Sequence, residues 1–117
     1  MSEPWNLTEA QRRQFREAHA EAKIAAMRDD FAKDIAAKAR WALIHNDGWP
    51  KAAWSTGERL AVALVLDDPA AIEREDFTRE QALSRLAGDV GFHITGTLRA
   101  ASAADAEAWI EQVRAAL

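Results

Sequence analysis

The sequence predicts a mainly α-helical single domain, and three observations carry that reading. Ala, the best helix former, supplies 27 of the 117 residues. Residues 8–46 contain neither Pro nor Gly. Three Ser or Thr residues (Thr8, Ser55 and Thr78) each stand three positions before a Gln or Glu. That spacing is the capping box, in which the hydroxyl takes the third helical amide and the amide or carboxylate side chain reaches back.

The first element is the longest. Ala20, Ile24, Met27, Phe31, Ile35 and Ala42 fall on one stripe at helical spacing. Phe15 lies off that stripe by roughly half a turn. One long helix or two nearly collinear ones are therefore expected, with Asp29 and Asp30 as the place for a break. His45-Asn46-Asp47-Gly48-Trp49-Pro50 stops the helix, since Gly suits the position after a helix end and Pro cannot continue one. The His45 imidazole at that end would favour the helix dipole.

The second capping box opens onto residues 60–66, which are apolar on every side and so belong to a buried element. Its cap argues helix and its Val residues argue strand; helix is the expectation. Asp67-Asp68-Pro69 ends this element and starts a short helix through Arg74. Behind Thr78, the residues Ala82, Leu83, Leu86 and Ala87 form one apolar face, with Gly88 closing the helix. A last helix is expected from Ser102, with Ala106, Trp109, Ile110, Val113 and Leu117 on one face. Residues 92–98 alternate with period two, the one good strand pattern. Pairing of 92–98 with 60–66 would give the alternative fold, an α+β chain with a short β-α-β-α C-terminal half. The expected organisation is a single domain over residues 1–117, with 1–47 as a long helical arm and 55–117 as a compact helical part.

Composition narrows the function. A chain of this length holds one domain. The absence of Cys excludes disulfides, thiol catalysis and zinc-thiolate sites. No apolar run approaches the ~20 residues of a membrane helix, and the N-terminal residues lack the basic and apolar regions of a secretory signal. A cytoplasmic protein without membrane contact is expected. The net charge is -4, and it is divided unevenly. Residues 1–55 carry nine basic and eight acidic side chains; residues 56–117 carry six basic and eleven acidic ones. A nucleic acid would be repelled by the C-terminal half, because binding phosphates requires a basic surplus.

Catalytic patterns are missing. The sequence has no Gly-rich phosphate loop, no Gly-x-Ser-x-Gly elbow and no His-Glu-x-x-His. His19, His45 and His93 stand singly on different elements. Neither an enzyme, a metal site nor a cofactor is expected.

Binding candidates stand out more clearly. Five Trp and no Tyr is an unusual aromatic usage, and Trp41, Trp49 and Trp54 crowd around one turn. Trp contributes large apolar area with an N–H donor and is enriched at binding hot spots. Trp49 and Trp54, in a loop of Gly, Pro and Lys, are the candidate partner-binding residues. Arg12, Arg16 and Lys23, with His19, form a basic ridge on one helical face that continues into Asp30 and Asp34. This ridge is a second candidate contact surface. A helix basic at one end and acidic at the other can pair antiparallel with its own copy. Ile24, Met27, Phe31 and Ile35 are the candidate self-association seam of a homodimer.

Residues 54–66, Trp54-Ser55-Thr56-Gly57-Glu58-Arg59 and the apolar run behind it, followed by Asp76-Phe77-Thr78-Arg79-Glu80-Gln81-Ala82, resemble small accessory proteins of actinobacterial phages. Usage rich in Ala and Arg and poor in Lys is also what a high-GC genome gives. The resemblance implies a phage-encoded protein that acts by binding a host or phage protein, in the host cytoplasm, and it assigns no residue a role. The expected function is a non-enzymatic protein-interaction module. The alternatives are a self-associating structural component and, after it, an accessory protein on nucleic acid.

Overall fold

The computed structural model describes residues 8–91 and 99–117, with side chains of the last helix from residue 103 onward. Five helices follow one another: α1 (Glu9–His45), α2 (Thr56–Val65), α3 (Pro69–Arg74), α4 (Arg79–Asp89) and α5 (Arg99–Ala115). Among the described residues there is no strand.

The capping chemistry forms as the sequence spells it. Thr8, Ser55 and Thr78 each close a full capping box at the start of α1, α2 and α4. Asp68 caps α3 by accepting from the amides of Ala70 and Ala71, with Pro69 in the first turn. Because nothing in α1 removes an amide or adds a left-handed residue, its 37 residues run unbroken through Asp29 and Asp30. The helix is about 55 Å long.

α2 sits at the centre. Leu60, Ala61, Val62, Ala63, Leu64 and Val65 are all buried, because α1, α3, α4 and α5 each pack against this helix. Burial on every side satisfies the apolar run without a sheet, and a helix closes its own hydrogen bonds where a lone strand cannot. The β-α-β-α alternative is thereby excluded: the segment that would have supplied its first strand is helix through Val65. Residues 92–98, the expected alternating strand, lie outside the described residues.

Three helix ends differ from expectation. Gly88 lies within α4, which ends at Asp89; the left-handed residue beyond it is Gly91, at φ 80°. α5 begins at Arg99, so Ser102 is inside the helix and not its cap. Leu117 follows the last helix and is exposed, while Ala106, Trp109, Ile110 and Val113 fill the core.

Arginines from neighbouring helices close the C-termini. Arg114 donates to the carbonyls of Val65 and Leu64 at the end of α2, Arg28 to Val90 beyond α4, and Arg40 to Ala116 beyond α5. The last carbonyls of a helix lack intrahelical donors, and a guanidinium supplies several in a fixed fork along with the charge the dipole favours.

The compact part therefore begins well inside α1. Ile35, Ala36, Ala39 and Ala42 are its buried residues, whereas every residue from Thr8 to Lys23 is exposed. The division expected at residues 47 and 55 moves back accordingly: the C-terminal half of α1 belongs to a helical head, and only its N-terminal half is an arm. The molecule measures 64 × 27 × 24 Å, and its radius of gyration is 17.7 Å. A compact chain of this length would have about 13 Å.

Candidate functional site

The corner between α1 and α2 is built by its backbone first. Asp47 and Gly48 take left-handed conformations, at φ 54° and 83°. The reversal lets the amides of Asn46 and Gly48 both donate to the Ala42 carbonyl, closing the end of α1. The Asn46 side-chain amide then donates to the Trp49 carbonyl at 2.8 Å, while the Trp49 amide donates to the Asn46 carbonyl at 2.9 Å. This pair fixes the direction in which Trp49 leaves the turn.

Arg59 holds the other half of the loop. Its guanidinium donates to the carbonyls of Ala52 and Trp54, to the Thr56 hydroxyl, and in a two-pronged contact to both carboxylate oxygens of Glu75, at 2.7 and 3.0 Å. One side chain of α2 thus ties residues 52–56 to the end of α3. The hydrogen bonds from Arg59 hold the Glu75 carboxyl below its ordinary value, and those same bonds raise Arg59. At the start of α2, Glu58 is lowered first by the Ser55 amide it accepts from and then by Lys38. Lys38 pairs with both Asp34 and Glu58; burial opposes its charge, but the two carboxylates outweigh that effect and raise it.

On this frame sit three indoles. Trp41 and Trp54 meet edge to face at 5.5 Å, and Trp41 also lies near the His45 ring at 5.8 Å. Cations cover the ring faces: Lys51 lies 5.3 Å from Trp41, Lys38 5.7 Å from Trp54 and Arg74 5.0 Å from Trp49. All three indoles are partly buried against the core and keep part of their surface in solvent. Beside Trp49 a cleft of about 360 Å³ is lined by Pro50, Ala52, Arg59, Ala71, Arg74 and Glu75. Arg59 is committed to the loop, so the surfaces this cleft offers a ligand are the indole, the proline ring and the Arg74 guanidinium.

The two groups of candidate partner-binding residues do not form one site. Trp49 and Trp54 share the corner. Arg12, Arg16 and Lys23 are exposed on the arm, and Arg16 is about 44 Å along α1 from His45. The expected self-association seam is corrected. Ile35 is fully buried within its own chain, and Phe31 stacks on Trp109 of α5 at 5.6 Å. Those two residues belong to the head, because the stripe on which they lie is the one α2 and α5 cover. Of the four, Ile24 is partly covered and Met27 is 46% exposed.

Arg59, Glu75 and Arg74 escaped sequence reasoning. Arg59 carried a signal: a cation in the first turn of a helix opposes the dipole, so its presence there implies a partner elsewhere. Its carboxylate partner lies 16 positions on, a separation no local pattern reveals.

Among the described residues no group of three or more His, Asp or Glu is placed to hold a metal ion, and no helix is long and apolar enough to cross a membrane. No family model, curated protein or solved structure matches this chain.

Proposed function

We propose that the protein is a non-enzymatic interaction module that docks a protein partner at the corner between α1 and α2, with Trp49 and Trp54 as its anchors. The observation that carries this reading is the Arg59 staple. It fixes residues 52–56 from inside the fold while the indoles flanking the staple remain partly in solvent. A loop ordered in advance loses little entropy on binding, and indoles with one buried side present large apolar area at fixed positions. With the resemblance of residues 54–66 and 76–82 to actinobacterial phage accessory proteins, the module we propose is a phage-encoded modulator or adaptor that acts on a host or phage protein in the host cytoplasm.

The test is affinity capture from host lysate with wild type, Trp49→Ala and Trp54→Ala, read beside their thermal melts. A protein captured by wild type, and bound at least about 1 kcal/mol more weakly by Trp49→Ala with its fold intact, supports the reading. Capture unchanged in both variants refutes it. Recovery that depends on nuclease-sensitive material transfers the function to nucleic acid.

A further inference from the structure

We infer that two copies of the chain pair through their arms, antiparallel, along the face of α1 that points away from the head. This inference is independent of the corner reading, since the two surfaces are at opposite ends of α1.

At 100° per residue, the buried residues Ile35, Ala36, Ala39 and Ala42 mark the side of α1 that the head occupies. Arg12, Phe15, Ala26 and Asp30 lie on the opposite side, with Ala22 at the edge nearest Ala36, all within about a third of a turn of one another. All five are exposed, Phe15 at 63%. The overlap is confined to residues 12–30, N-terminal to the residues of α1 that the head buries.

Charge selects the second copy and its direction. Arg12, Arg16 and Lys23 form no ion pair among the described residues, and neither does Asp30 at the far end of the face. A parallel copy would set Arg12 beside Arg12 and Lys23 beside Lys23. An antiparallel copy brings Arg12 of each chain to Asp30 of the other, twice by symmetry. That register alone places the apolar residues. With Arg12 opposite Asp30 the midpoint is residue 21, so Phe15 falls opposite residue 27, beside the small side chains at Ala26 and, one turn back, Ala22. Two aromatic rings, one from each chain, then cover alanine surface at the two ends of the overlap. His19 meets Lys23 between them, a contact without attraction, so the seam is held by its ends.

The experiment is sedimentation of the full chain from micromolar to millimolar concentration, with variants at exposed positions of α1 that lie N-terminal to its buried residues. The expected result is a reversible dimer. Phe15→Glu should raise its dissociation constant about a hundredfold, since both copies lose a buried ring. Arg12→Asp should raise it about fivefold, the effect of two exposed ion pairs, and Arg12→Asp combined with Asp30→Arg should restore it. Because the chain has no Cys, direction is read by cross-linking. Under oxidation, a mixture of His19→Cys and Lys23→Cys chains should form mixed dimers faster than either variant forms dimers alone. A monomer at every concentration, a dimer indifferent to Phe15→Glu, or faster cross-linking of each variant to itself overturns the inference.

Discussion

Replacing Arg59 by Met keeps the side chain's length and apolar stem and removes every donor that holds the corner. The guanidinium makes two hydrogen bonds to Glu75 and one each to Ala52, Trp54 and Thr56. The exposed Ala52 carbonyl can turn to water. The Glu75 carboxylate cannot do so fully, because its side chain is only 17% exposed and Arg59 is 22% exposed. Hydrogen bonds to charged groups contribute about 1.5–3 kcal/mol each, while breaking a fully buried pair costs about 3–5 kcal/mol. This partly buried pair falls between, and a loss of about 2–3 kcal/mol is expected, or roughly 10–15 °C in melting temperature for a domain of this size.

The same pair makes a pH prediction. A carboxyl held below its ordinary value of 4.5 contributes stability that is complete above that value and lost as pH falls through the depressed one. The gap between wild type and Arg59→Met should therefore be full at pH 7 and shrink below about pH 4. Urea denaturation followed by circular dichroism at both pH values measures it, with Glu75→Gln completing a double-mutant cycle. A variant within about 0.5 kcal/mol of wild type at pH 7, the range of ordinary surface substitutions, or a gap that persists unchanged in acid, would refute the claim that Arg59 staples the loop.

Arg114→Met should cost about 1–2 kcal/mol in urea denaturation, since the carbonyls of Leu64 and Val65 lose their donor at a half-buried helix end. Gly57 is buried in the first turn of α2, and a β-carbon there would stand 2.5 Å from a carboxylate oxygen of Asp89. Gly57→Ala should therefore destabilise the wild-type chain by displacing the Asp89–Arg85 pair, yet stabilise an Asp89→Ala chain by up to about 1 kcal/mol, the helical advantage of Ala over Gly. Thermal melts of the four chains read that change of sign. Removing residues 1–22 should leave the melting temperature of the head within about 2 °C, less than a small stability change produces; in the full chain at micromolar concentration, arm amides should exchange hydrogen far faster than those of α2.

Local chemistry made much of this protein legible from sequence. Each capping box is a contact between residues three apart, so Thr8, Ser55 and Thr78 announce their helices without any tertiary context. Asp68 before Pro69, and Gly48 after an uninterrupted helical run, are legible for the same reason. The helix of α2 was expected from the Ser55 capping box, although the all-apolar run behind it has no period that separates helix from strand; its enclosure by four other helices agrees with the cap.

The long-range contacts were decided by tertiary structure alone. A stripe of apolar residues says that one face of α1 is covered, and nothing in its spacing says by what. The structure assigned the Phe31–Ile35 end to Trp109 and the core of the same chain, with Ile35 fully buried and Phe31 partly so. The Arg59–Glu75 staple and the arginines that close α2, α4 and α5 join residues 16 to 76 positions apart. Pairings of that kind depend on how helices stack, a property of the whole chain that no window of neighbouring residues contains.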